Sequence, residues 1–228
     1  MPEPIQTTTL LLGTAASLAI LHTLLGIDHS LPFVALARAR GWTLGRTLTI
    51  TALCGAGHVA SSVVIGAFGV GLGVATDRLL WIESARGELA AALLIGFGLA
   101  YAAWAVWRRF RGVGGAHRHA GADGQVTPGA LFVVFLLGPC EPLIPLMMVP
   151  GMAADWAALL AVVAVFGLLT VAVMLAAVAA GYSGARWLAA APLVGPGRGG
   201  IGLLQRHADV AAGLVVAASG AAVLVLGI

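Results

Sequence analysis

From Trp156 to Ala185 the chain carries no charged side chain. A stretch of that length exceeds the roughly 20 apolar residues that cross the hydrocarbon core of a bilayer as a helix. Comparable runs lie at 8–30, 47–73, 87–108, 129–150 and 208–228, so about six transmembrane helices are expected. Composition agrees: 60% of residues are hydrophobic and only 9% charged, with a mean hydropathy of +1.02, whereas about a quarter of a soluble domain is charged. The expected fold is an all-α polytopic membrane protein, with no room for a separate soluble domain.

Twelve arginines and no lysine supply the positive charge, against nine acids. Arg38, Arg40, Arg46, Arg108, Arg109, Arg111, Arg118, Arg186, Arg198 and Arg206 fall in the first, third and fifth connections, and only Arg78 and Arg86 in the others. Basic loops stay in the cytoplasm, so this asymmetry sets topology rather than a nucleic-acid surface. It predicts a bacterial cytoplasmic (inner) membrane protein with both termini outside. The opening "MPEPIQTTTL" is acidic rather than basic, and the apolar run after it is expected to remain as the first helix rather than be cleaved. Cys54 and Cys140 are the only cysteines, which excludes a disulfide framework of the secreted kind.

The halves match when laid over with a shift of 112 residues: "GIDHSLPF" from Gly26 falls on "GPCEPLIP" from Gly138, and "HVA" at His58 on "TVA" at Thr170. A slightly larger shift sets "ELAAALLI" at Glu88 over "DVAAGLVV" at Asp209. The expected organisation is a first three-helix repeat at 1–110, a His-containing cytoplasmic loop at 111–128 and a second three-helix repeat at 129–228. An odd number of spans per repeat inverts the second relative to the first, as in many secondary transporters.

Ionisable groups inside spans cost about 2.5–3.5 kcal/mol each on insertion scales, so they face partners or cavities. Here His22, Asp28, His29, His58 and Glu141 sit in apolar runs, joined by Cys140. In a straight helix, His22 and His29 would share a face yet stand about 10 Å apart. Gly26 and Pro32 allow a break that brings them together. "GPCEPLIPLMMVP" should break the fourth span likewise. Broken helices at equivalent places of two repeats point to a transport site. Imidazoles with a carboxylate suit a borderline divalent ion such as nickel, cobalt or zinc. Asp28 is then either a ligand or the acceptor of a ligating histidine's far N–H. Cys140 and Glu141 either complete the shell or, for Cys140, fill space. Cys54, one turn from His58, and Thr170 are secondary candidates, with Ser61, Ser62 and Thr170 otherwise bonding backbone or neighbouring helices. Met147 and Met148 read as lipid or core contacts. His117 and His119, among glycines in the third loop, form a short tract able to bind metal weakly.

His22-x-Leu24-x-Gly26-x-Asp28-His29, followed by Thr51-Ala52 and Gly57-His58, resembles the nickel permeases that accompany hydrogenases and ureases (the HupE/UreJ type). It is also similar to a relaxed form of the histidine–aspartate motif of nickel/cobalt transporters. The resemblance covers about fifty residues of the first two spans. It implies passage of Ni²⁺ or Co²⁺, with His22, Asp28, His29 and His58 at the matching positions. Thr23 stands where many such permeases have proline. "GPCEPLIP" resembles instead the Pro-Cys break of thiol-disulfide membrane carriers and sulfite-exporter-like proteins.

The function expected is therefore a non-enzymatic permease whose metal ion is cargo, with no tightly bound cofactor. Its partners are the bilayer, the ion and a candidate cytoplasmic metal acceptor; nothing in the sequence fixes an oligomeric state. The alternatives are a thiol-disulfide electron carrier using Cys54 and Cys140, or an exporter of sulfur oxyanions or organic anions. No H-E-x-x-H of an intramembrane protease occurs. A reporter fused after Ile228 should be active only outside the cytoplasm; a cytoplasmic reporter would reverse the topology.

Overall fold

The computed structural model describes residues 4–111, 123–190 and 207–226, and all regular structure among them is helical. Helix α1 (Pro4–Leu25) passes through a 3₁₀ turn (Ile27–His29) into α2 (Leu31–Arg40). Two long helices follow, α3 (Leu44–Leu72) and α4 (Thr76–Phe110). Then come two short ones, α5 (Asp123–Leu137) and α6 (Leu143–Met152), and two long ones, α7 (Trp156–Ala190) and α8 (Ala208–Leu226). A broken pair followed by two long helices thus occurs twice in chain order.

Five helices are long and apolar enough to cross a membrane: α1, α3, α4, α7 and α8. The predicted fourth span is two shorter apolar helices, Pro128–Leu137 and Leu143–Met152, separated where Pro139 and Pro142 interrupt the helical hydrogen bonding. Two expected connections are helical instead. "ARAR" forms the end of α2, which stops at Gly41 (φ 62), a left-handed conformation that glycine adopts without strain. Residues 76–86 belong to α4 rather than to a loop. The reason is visible on one face: Leu79, Glu83, Gly87, Ala90, Ala91 and Leu94 are all buried, at the spacing of a single helical stripe. Arg86 is consequently part of a helix and not a loop charge.

α4 and α8 pack almost backbone to backbone. A Cβ on Gly98 would strike the backbone of Gly213 and Ala217, and one on Gly220 would stand 2.8 Å from the Ala91 carbonyl oxygen. In lipid, where no hydrophobic drive separates helix from solvent, such close approach of small residues is what supplies helix association. The Tyr101 hydroxyl donates to Asp209 at 3.1 Å and fixes the register at one end.

That end is rich in cations and aromatic rings. Arg40 lies over Tyr101 and Trp104, Arg46 over Trp42, Arg108 over Trp104, Arg111 over Trp107 and Arg186 over Tyr182. The Tyr182 hydroxyl donates to the Trp42 carbonyl at 3.0 Å, tying the end of α7 to the α2–α3 connection. Amphipathic rings with cations suit the headgroup level of a bilayer.

Apolar side chains form two main buried clusters. One gathers Phe33, Leu36, Cys54, Phe135, Met174 and Val216; the other gathers Ala19, Val59, Cys140, Met147, Val162 and Phe166. α3 runs through both, and His58 sits between Cys54 of the first and Val59 of the second. Gly98→Val should drive α4 and α8 apart, since overpacking typically costs about 1–3 kcal/mol and backbone gives less than side chain. A lower melting temperature in detergent checks this; an unchanged one would show that the close approach does not hold the pair.

Candidate metal centre

The helical hydrogen bonding of α1 ends with the Gly26 N–H on the His22 carbonyl, at 3.0 Å. Gly26 then turns extended (φ −71, ψ 93), and a single 3₁₀ turn folds His29 back, its N–H on the Gly26 carbonyl at 3.0 Å. The ring centroids of His22 and His29 consequently lie 4.9 Å apart, about half their axial separation in an unbroken helix. A Cβ at Gly26 would collide with the His29 ring. Glycine is therefore required for space here. Pro32 lies in the first turn of α2, where its missing N–H costs no helical hydrogen bond.

The third imidazole comes from α3. His58 is buried, its ring parallel to that of His22 (centroids 6.2 Å apart, 8° between planes) and edge-on to that of His29 at 5.1 Å. One ring nitrogen from each of the three histidines lies within 4.8 Å of the others.

Hydrogen bonds fix which nitrogens face inward. His29 Nδ1–H donates to Asp28 Oδ1 at 3.0 Å, and His58 Nδ1–H donates to the Phe135 carbonyl at 3.3 Å. Both partners can only accept. A neutral imidazole that donates from Nδ1 keeps a lone pair on Nε2, and the two Nε2 atoms stand 3.4 Å apart. Two lone pairs at that distance repel unless a proton or a metal cation sits between or beside them. Nitrogens bound at about 2.0–2.1 Å to a tetrahedral ion stand about 3.3–3.4 Å apart, so the spacing matches one edge of such a site. His22 Nε2, buried and without a hydrogen-bond partner, offers a third donor. The donor set fits a divalent transition metal.

Asp28 occupies the far side of His29 from His58, the place of a carboxylate that orients a ligating imidazole and raises its basicity. His22, Asp28, His29 and His58 are thus brought together. Cys140 and Glu141 are not in the group of close ligand atoms among the described residues. Cys140 is buried in an apolar cluster, and Glu141 is exposed beside it. Cys54 packs in the other cluster. Thr170 is buried on α7 with its hydroxyl unpartnered. His117 and His119 lie outside the described residues. Ser61 donates to the His58 carbonyl at 2.9 Å and Ser62 to Glu83 at 2.8 Å, while Met147 and Met148 fill the core.

Glu83 and Arg86 are the residues beside this site that the sequence pattern did not mark. Glu83 is fully buried, ion-paired with Arg86, and reached by the Cys140 N–H at 3.0 Å. The available signal was the helical spacing of Glu83 with Gly87, Ala90 and Ala91, which extends α4 backwards into the polar stretch. A cavity of about 30 Å³ adjoins the cluster, lined by Asp28, His58, Gly87, Ala90, Phe135 and Pro139 among others, with space for about one or two waters.

The chain matches no known protein-family profile, no characterised protein and no solved structure.

Gly26→Ala should displace the His29 ring and weaken Co²⁺ binding to purified protein about tenfold or more, read from cobalt's visible absorption. Wild-type affinity in that variant would mean that the three-ring arrangement is not what binds.

Proposed function

We propose that this chain is a secondary transporter of a divalent transition-metal ion, with nickel or cobalt as the preferred cargo. The observation that carries this reading is the pair of Nε2 atoms 3.4 Å apart, each on an imidazole whose other nitrogen is committed to an acceptor. Polar groups of this kind within apolar helices mark ion pathways. His58 is central in α3, with Leu44 and Leu72 at its two ends, about 20 Å to either side along the axis, which puts the candidate site near mid-depth of a spanning helix.

The recurrence of broken pair, long helix, long helix supports two three-helix repeats, 1–110 and 129–228, of opposite orientation, with α1–α2 and α5–α6 each counted as one broken span. Rocking of one repeat against the other around a fixed site is the motion this architecture favours. The arginine- and aromatic-rich end then faces the cytoplasm of a bacterial cell, with both termini on the outer side. Imidazole donors suit nickel, cobalt and zinc alike; the preference for nickel and cobalt is what the resemblance of the His22, Asp28, His29 and His58 pattern to nickel permeases implies.

A thiol-disulfide carrier is disfavoured because Cys54 and Cys140, both free, lie in different apolar clusters. An anion exporter needs an open cationic group or helix N-terminus at mid-depth, and the N–H end ahead of α6 is met by the Glu83 carboxylate. Arg86 is the cation nearest the break, and its guanidinium is engaged by Glu83, Ser61 and two carbonyls.

Uptake or release of ⁶³Ni²⁺ or ⁵⁷Co²⁺ by vesicles should fall at least about tenfold for His22→Ala, His29→Ala and His58→Ala at equal protein level. The double variant Cys54→Ser with Cys140→Ser should transport as wild type. Transport indifferent to the histidines would end the proposal, and trapping of a Cys54–Cys140 disulfide would favour the redox carrier.

A further inference from the structure

The first helix break is occupied by the candidate ligands; the second is held by charge. Arg86 Nη2 donates to the carbonyls of Leu136 (3.0 Å) and Gly138 (3.3 Å) at the end of α5. Glu83 Oε2 accepts the Cys140 N–H just ahead of α6 at 3.0 Å, with Ser62 Oγ accepting the same N–H at 3.1 Å. The carbonyl end of one half-helix meets a cation and the N–H end of the next meets an anion, the sense in which helix dipoles are stabilised. One ion pair on a single turn of α4 therefore closes both halves of the break.

The same pair reaches His58 along two routes. Arg86 Nη2 donates to Ser61 Oγ at 2.8 Å, and Ser61 donates in turn to the His58 carbonyl at 2.9 Å. The turn gripped by Arg86 also presents the Phe135 carbonyl that accepts His58 Nδ1–H. Contact is tight: a Cβ at Gly138 would sit 2.9 Å from His58 Nδ1. No ligand atom is contributed by either charged residue.

We propose that Glu83 and Arg86 are positioning residues of the ion site: by fixing the α5–α6 break they hold His58 in the tautomer and orientation that aims Nε2 at His29. This inference rests on the metal reading above and extends it to residues of α4 that touch no ion. An ion pair serving only to stabilise the bundle would change melting and leave the coordination geometry alone.

Arg86→Lys retains the charge but replaces a five-donor fork with a point ammonium, which cannot reach Glu83, Ser61 and two carbonyls together. Ser61→Ala removes only the bridge to the His58 carbonyl. Co²⁺ titration of each purified variant, read by visible absorption and set beside its melting temperature, tests the idea. Expected are affinities about tenfold weaker and altered cobalt bands, in Ser61→Ala at an unchanged melting temperature. Wild-type affinity and spectrum in folded Arg86→Lys and Ser61→Ala would overturn the inference. Should Arg86→Lys not fold, Ser61→Ala alone decides it. Wild-type protein that binds no Co²⁺ would instead remove the metal reading, and this inference with it.

Discussion

Unwinding a helix inside a bilayer strands backbone N–H and C=O groups where no water can reach them, and the interior of this protein is organised around two such interruptions. At the first, the chain solves the problem locally, with a 3₁₀ turn that returns His29 N–H to the Gly26 carbonyl. At the second, proline at 139 and 142 removes donors, and α4 supplies a carboxylate and a guanidinium from one turn to serve the ends that remain. The three imidazoles lie between these two repairs. For His29 and His58 the inward lone pairs are set by what the outer nitrogens bond to, a carboxylate for the first and a backbone carbonyl for the second.

A buried ion pair is weak support for stability in itself, because desolvation offsets much of the attraction. Glu83 and Arg86 differ from an isolated pair in that several of their remaining donor and acceptor positions meet neighbours: Ser61, Ser62, the Cys140 N–H and the carbonyls of Leu136 and Gly138. Removing either charge would strand those groups as well as its partner. On the other face of the bundle the binding principle is different. There Gly98, Gly213 and Gly220 let α4 and α8 approach at backbone distance, so α4 is clamped along its length while its opening turns carry charge into the interior.

The helical class and the broken first helix were legible because apolar length and the Gly26/Pro32 pair act locally. The meeting of His22, His29 and His58 was legible in outline for the same reason: a break between two histidines seven apart leaves them few places to go except together. The α5–α6 break was expected from its prolines, but not the groups that hold it. Glu83 and Arg86 lie in a stretch that looks like loop, since Asp77, Arg78 and Glu88 surround them; only tertiary contact with residues 21 to 57 positions away turns them inward. The same holds for the Phe135 carbonyl, a backbone atom without any sequence signature. The cysteines that the motifs singled out, Cys140 and Cys54, went to apolar clusters because a thiol packs as readily as it ligates.

The cavity that His58 and Asp28 line has room for about one or two water molecules. In the proposed transporter, a cation bound at the three rings exchanges water for nitrogen at those positions. Magnesium gives up its waters reluctantly and seeks oxygen, whereas later first-row metals recover the loss through nitrogen. Exchange of water for imidazole would thus turn away magnesium at the rings themselves, with dehydration cost and ligand chemistry acting together.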